Sequence, residues 1–261
     1  MTARSATREG RSWAVIALPA AGILCFLGVW EVASRVGWVN RIILPAPTEI
    51  AAALVKIGQT RYFWEATAVT VQETVYGFGL GCVGAWVIGM GIGMSLTFRR
   101  IVYPLAIAFQ NMPRVALAPL FLVWFGFGLT SKVVMAAAIC FFPLLIAVVV
   151  GLETVDRDAR TLMRSLGASR WQMYYKLSLP SSLPYFFAGL KTAMTLALTG
   201  AIVAEFVGAS EGMGVLIQTY NFQLNVAEGF ATIFVLMIIG LLLFGLMEWL
   251  DRKLVFWQAK H

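Results

Sequence analysis

The chain has 261 residues, of which 60% are hydrophobic and 13% charged, against roughly 25% charged in a soluble domain, which excludes water as its main solvent. A formal net charge of +7 would point to nucleic acid in a soluble protein, but the basic residues fall between apolar runs rather than on one face, and this reads as membrane topology. Cys25, Cys82 and Cys140 all lie inside apolar runs and the one histidine is His261, so no catalytic residue, metal ligand, cofactor site or disulfide framework is expected.

A bilayer core needs about 20 mostly apolar residues per helix, and such runs recur at 13–33, 70–96, 103–127, 132–152, 184–207 and 229–250. They predict an all-α integral membrane protein with about six transmembrane helices. One membrane domain fills 13–255, between tails at 1–12 and 256–261. The first run follows a basic stretch carrying Arg4, Arg8 and Arg11 and has no small-residue cleavage site, so it reads as a retained helix. In the 34–69 segment, Leu44-Pro45-Ala46-Pro47-Thr48 forms a stiff extended approach, and Thr48 is the expected cap of a short helix through Ile50, Leu54 and Ile57.

The second run places Gly77, Gly81, Ala85, Gly89 and Gly93 on one helix face. Between helices in lipid there is no hydrophobic drive, and such a face permits the close backbone approach on which van der Waals packing depends. Gly77-Phe78-Gly79-Leu80-Gly81 is no phosphate loop, because no strand precedes it. The third run is irregular: Gln110-Asn111-Met112-Pro113-Arg114 interrupts it and Pro119 follows. Proline frees backbone carbonyls that neighbours or a wet cavity must satisfy, so Gln110, Asn111 and Arg114 are candidates for lining a translocation path, with a packed kink as the alternative. On a straight helix Arg114 would lie about 20 Å from Arg100, where a guanidinium snorkels, pairs structurally or attracts an anion. Glu205 is the fourth path candidate, and Glu73 is a second acid within an apolar run.

Six crossings put both termini on one side, together with most of the arginines, including Arg99, Arg100, Arg157, Arg160, Arg164 and Arg170. The positive-inside rule then makes the termini, the 97–102 turn and the 153–183 loop cytoplasmic and leaves 34–69 outside despite its four basic residues. In the long loop Asp156 or Asp158 can cap a short helix whose Ala159, Leu162, Met163 and Leu166 share a face, and Gly167 is its stop. Ser169 and Gln172 have capping-box spacing, and the helix they open is expected to end near Pro180. The result is a helix–Gly–helix elbow with an apolar stripe of the kind that docks on a partner.

Gly167-Ala168-Ser169, Leu177-Ser178-Leu179-Pro180 and Pro184 resemble the loop core of binding-protein-dependent ABC importer permeases. Leu177 stands where isoleucine is usual, and the Glu-Ala-Ala that names that loop falls on Thr161, Leu162 and Met163. Leu44-Pro45-Ala46-Pro47, the run from Pro113 to Pro119, Trp124-Phe125-Gly126-Phe127-Gly128, Ala204-Glu205-Phe206 and Gly212-Met213-Gly214 are similar to the nitrate, sulfonate and taurine branch. The resemblance covers roughly 13–255 and implies a type I importer fold in a bacterial inner membrane, crossed several times with both termini cytoplasmic. It implies a second permease copy or paralogue, two ABC ATPase subunits and an extracytoplasmic substrate-binding protein as partners. It further implies that Asp158, Leu162, Met163, Leu166, Gly167, Ala168, Ser169, Leu179 and Pro180 belong to the ATPase-coupling loop.

The chain carries no Gly-x4-Gly-Lys-Ser/Thr motif, so it is not expected to hydrolyse ATP itself. The implied cargo is a small oxyanion or organosulfonate, with pyrimidines and other heterocycles carried by similar relatives. The rival function is an ion-coupled secondary transporter or channel, in which the elbow would have no ATPase to serve. An intramembrane enzyme is disfavoured, because no aspartate lies in any of the apolar runs.

Overall fold

The computed structural model describes residues 6–255, without the side chains of 6–17 and 20, and its described residues form helices and loops with no strand. In chain order these are α1 (Ala6–Val36), α2 (Pro47–Gly58), α3 (Arg61–Met94), α4 (Leu96–Gln110), α5 (Ala118–Phe125), α6 (Leu129–Glu153), α7 (Arg157–Ser165), α8 (Arg170–Met173), α9 (Leu179–Gly208), α10 (Met213–Phe222) and α11 (Val226–Leu254). Among the described residues four stretches are long and apolar enough to cross a bilayer: α3, α6, Arg170–Gly208 and α11. The expected first span, 13–33, falls within α1, partly on side chains outside the description.

The third span departs from its expected course. A break after Gln110 leads through a 3₁₀ turn at Arg114–Leu117 into α5, and the two arms meet at 88°, as a broken span or a re-entrant loop. Pro113 lacks the N–H that would continue α4, and the chain turns there. Arg114 therefore does not lie on a straight axis above Arg100. The expected 97–102 turn is also helical, because Ser95 caps α4 by accepting the Phe98 N–H at 3.3 Å, directly after α3 ends.

Contacts divide the chain into two compact units. One comprises the described part of Met1–Arg61 with Ile217–Ile233. Here α2 begins at Ala46 with Pro47 in its first turn, and the Glu49 carboxylate accepts the Ala46 N–H at 3.0 Å. Thr48 is not the cap: its hydroxyl donates to Glu31 at 2.8 Å. Ile50, Ala53 and Ile57 form the buried face of α2, whereas Leu54 is half-buried.

The other unit comprises Tyr62–Leu216 with the described part of Phe234–His261. Its core is the seam of α6 and α9, where Ala136, Cys140, Leu144 and Leu145 meet Leu190, Ala193, Ala197 and Ala201. The small-residue face of α3 lies against α6 along its length. A side-chain carbon added at Gly81 would stand 2.5 Å from Cys140 Sγ and one at Gly89 2.5 Å from Val148 Cγ1, so hydrogen is all that fits. At the end of this seam Gly93 faces Tyr174 and Leu152.

Candidate functional site

The elbow expected between α6 and α9 forms. Asp156 caps α7, its carboxylate accepting the Asp158 N–H at 3.1 Å. At the other end Gly167 has φ +75°, a left-handed conformation that L side chains rarely adopt. There the Ala168 N–H reaches Met163 O and the Gly167 N–H reaches Arg164 O, each at 3.0 Å, closing the helix with a Schellman pair of bonds. Ser169 opens α8 by the predicted reciprocal pair: its Oγ accepts the Gln172 N–H at 3.2 Å, and Gln172 Oε1 accepts the Ser169 N–H at 2.8 Å.

The two faces of α7 differ in chemistry. Leu162 and Leu166 are 60% and 74% exposed, an unpartnered apolar surface, with Met163 half-buried beside them. Arg160 and Arg164, one turn apart, lie on the opposite side by helix periodicity. Tyr174 is buried against Val148 and Leu152, which fixes the second arm of the elbow to α6.

Pro180 does not end this helix. A π turn at Tyr174–Ser178 carries the chain from α8 into α9, where Leu179 and Pro180 occupy the first turn. A proline tolerated at a helix start, where its missing N–H costs nothing, lets Arg170–Gly208 run on as one helical stretch.

A second constellation was not foreseen as a unit. Glu205 is 1% exposed, and its carboxylate accepts the Thr70 hydroxyl at 2.6 Å and the Gly214 N–H at 2.5 Å. Thr70 Oγ in turn accepts the Met213 N–H at 2.8 Å. Lys132 at the start of α6 places its ammonium 3.0 Å from Glu73 Oε1, both groups being buried. Gly212, at φ +122°, and Gly214 both press their backbone on the Glu205 carboxylate, so a side chain at either would collide with it. The Ala204-Glu205-Phe206 and Gly212-Met213-Gly214 motifs are thus two halves of one clasp that holds the first turn of α10.

Of the four path candidates, three lie at the break after α4 and Glu205 does not join them. It sits enclosed in the clasp rather than beside an open path. Gln110 Oε1 is buried without a hydrogen-bond partner among the described residues. Asn111 turns back to donate to Ile107 O at 2.9 Å, and Arg114 donates to Ile139 O at 2.6 Å. The Arg114 guanidinium is thus engaged by a backbone carbonyl, the structural-pairing alternative. Sequence reading missed Thr70, for which nothing in the chain gave a signal. The Glu73–Lys132 pair had one, since opposite charges within or beside apolar runs tend to seek each other.

Residues 81–256 match the family described as the inner membrane component of binding-protein-dependent transport systems. The chain belongs to this family. The formylaminopyrimidine transport permease protein ThiX of Halalkalibacterium halodurans is 32% identical over 93% of this chain and 96% of its own length. The riboflavin transport system permease protein RibX of Chloroflexus aurantiacus is 33% identical over 95% and 92%, and the taurine transport system permease protein TauC of Escherichia coli 27% identical over 90% and 87%. Among solved structures, the inward-facing MetNI methionine ABC transporter shares the fold with a TM-score of 0.61 at 20% identity, covering 78% of this chain and 97% of that one. The permease is therefore a multi-pass membrane subunit of an ABC importer, and the branch expected from the motifs includes its relatives.

Proposed function

We propose that this permease imports a small heterocyclic compound handed over by a substrate-binding protein, and that ATP binding in two separate ATPase subunits reaches it through the elbow from Asp158 to Tyr174. A second permease copy or paralogue completes the pathway, and both termini face the cytoplasm. One observation carries the coupling claim: Leu162 and Leu166 stand exposed on a capped, stopped helix anchored to α6 through Tyr174. An apolar face on a rigid mount suits a groove in a partner, and within this reading Met163, Gly167, Ala168, Ser169, Leu179 and Pro180 hold that mount in place.

Two observations support a heterocycle. The relatives at 32% and 33% identity are named for a pyrimidine and a flavin, and Arg114 is taken up by Ile139 rather than left free for an anion. A small organosulfonate is the second reading, favoured by the taurine relative. Gln110, Asn111 and Arg114 border the path in either case, while Glu205 acts on it only through the clasp.

Ser165 is the better position for a crosslinking cysteine, because Ser169 is spent on its cap. With Cys25, Cys82 and Cys140 replaced by alanine, Ser165→Cys should crosslink to the ATPase subunit and stop transport-linked hydrolysis in proteoliposomes. Uptake should require the binding protein and ATP, with pyrimidine or flavin competing better than taurine. Uptake without ATP, and no crosslink to a cytoplasmic protein, would return the assignment to a secondary transporter.

A further inference from the structure

The elbow, the ends of α3 and α6 and the start of α4 border an open cavity of about 310 Å³, at the small end of the roughly 300–1,000 Å³ usual for small-molecule sites. Four guanidiniums line it: Arg99 from α4, Arg160 and Arg164 from α7, and Arg170 from α8. Ile92 and Leu152 supply apolar wall. Arg99 pairs with Glu153. No acidic partner for the other three occurs among the described residues.

Like charges converging on one concavity repel unless something of opposite sign occupies it. The apolar docking face of α7 is the Leu162–Leu166 face, while the arginines line the cavity on the helix's other side, where Arg164 and Arg170 remain exposed and Arg160 is half-buried. Guanidiniums bind phosphate oxygens with a planar, two-pronged geometry. The cavity lies where apolar helix ends meet the basic elbow, a setting in which an acyl chain and a phosphate can both find partners.

We propose that this cavity binds a phosphate-bearing anion, either the phosphodiester of an anionic lipid headgroup or free inorganic phosphate, and that the anion ties the elbow to the helix ends beside it. The proposal rests on the elbow being the coupling element only for its consequence, not for the binding itself. An occupied site joins Arg99 of α4 to Arg160, Arg164 and Arg170 of the elbow through one ligand, so elbow and membrane helices move together. An empty one leaves the elbow held by Tyr174 and its own caps.

The test uses the full-length permease in phosphatidylcholine nanodiscs, with melting temperature and native mass spectrometry as readouts. One arm adds inorganic phosphate at constant ionic strength, and the other replaces half the lipid with phosphatidylglycerol. One arm should raise the melting temperature and leave a retained phosphoryl species in the mass spectrum. The combined Arg160→Gln and Arg164→Gln variant should need about tenfold more of that ligand per lost charge-assisted bond. Arg157→Gln removes a single charge from the same helix outside the cavity and should behave as the parent. A response to phosphatidylglycerol alone assigns a lipid site, and a response to phosphate alone a free-anion site. No response in either arm, or an equal loss in Arg157→Gln, overturns the proposal. If the double variant instead sheds the ATPase from the purified complex and neither anion binds the parent, the arginines serve the ATPase and the proposal fails. The Ser165 crosslink, which reads the coupling claim separately, would then still stand.

Discussion

At the scale of single residues the clasp around Glu205 makes the sharpest demands. One threonine hydroxyl donates to the carboxylate and accepts a backbone N–H from α10, so Thr70→Val should strip the Met213 N–H of its acceptor and Glu205 Oε1 of its donor, at about 1–3 kcal/mol each. Thr67→Val removes only a bond to the carbonyl one turn back in the same helix and should be nearly neutral in thermal unfolding. Gly214→Ala would set a methyl group 2.7 Å from Glu205 Oε2 and should destabilise at least as much as Thr70→Val. Equal melting temperatures for Thr70→Val and Thr67→Val would mean the clasp contributes nothing. Both motifs that form it are visible in the chain as separate short patterns. Their joint purpose was not, because it depends on α3, α9 and α10 meeting, which no local spacing encodes. The elbow shows the opposite case: Asp156, Gly167, Ser169 and Gln172 act within four residues of themselves, so the roles of Gly167, Ser169 and Gln172 were readable and the cap was narrowed to Asp156 or Asp158.

At the scale of elements, the small-residue face of α3 was readable from its period, and its partner is now identified as α6. Gly81→Leu or Gly89→Leu must force these two helices apart or push the larger side chain into strain, at about 1–3 kcal/mol. Each should lower the yield of folded monomer in detergent, whereas Gly79→Leu, which meets nothing within 4 Å, should not. Normal yield from all three would place the seam elsewhere. Prolines were the harder signal, since the same residue type ends one helix at Pro113 and opens another at Pro180. What separates them is position: Pro113 follows a helix whose last turn it cannot extend, whereas Pro180 sits where a wider π turn has already supplied the slack.

At the scale of the whole molecule, composition alone excluded a soluble protein, and the repeat of apolar runs located α6 and α11 to within about a turn, whereas α3 begins at Arg61 and the stretch ending at Gly208 begins at Arg170, well ahead of the apolar runs at 70 and 184. The interruption at Gln110–Arg114 was legible, but the 88° turn it makes was not, because hydropathy averages over a break of three residues. Orientation rests on basic residues, and the 34–69 segment opposes the rest. Several of its cations are engaged: Arg35 with Glu31 at 2.5 Å, Arg41 with Glu49 at 3.6 Å and Lys56 with Glu228 at 2.9 Å. The hydrogen bond to Glu228 holds the Lys56 ammonium above its ordinary pKa, so it stays charged across the physiological range. Because the rule counts basic residues rather than net charge, the pairs do not decide the matter, and accessibility does. Reporters at Arg100 and His261 should face the cytoplasm and one at Asn221 the outside. Labelling of Lys56 from the cytoplasm alone would overturn the six-span arrangement. The unbroken helical run Arg170–Gly208 spans 39 residues, about 58 Å at 1.5 Å per residue, with the capped elbow at one end and the Glu205 carboxylate at the other. Under the proposed coupling this run works as a crankshaft: a few degrees of torsion applied at Arg170 would arrive at Glu205 without passing through any loop, and Glu205 grips the backbone of α10.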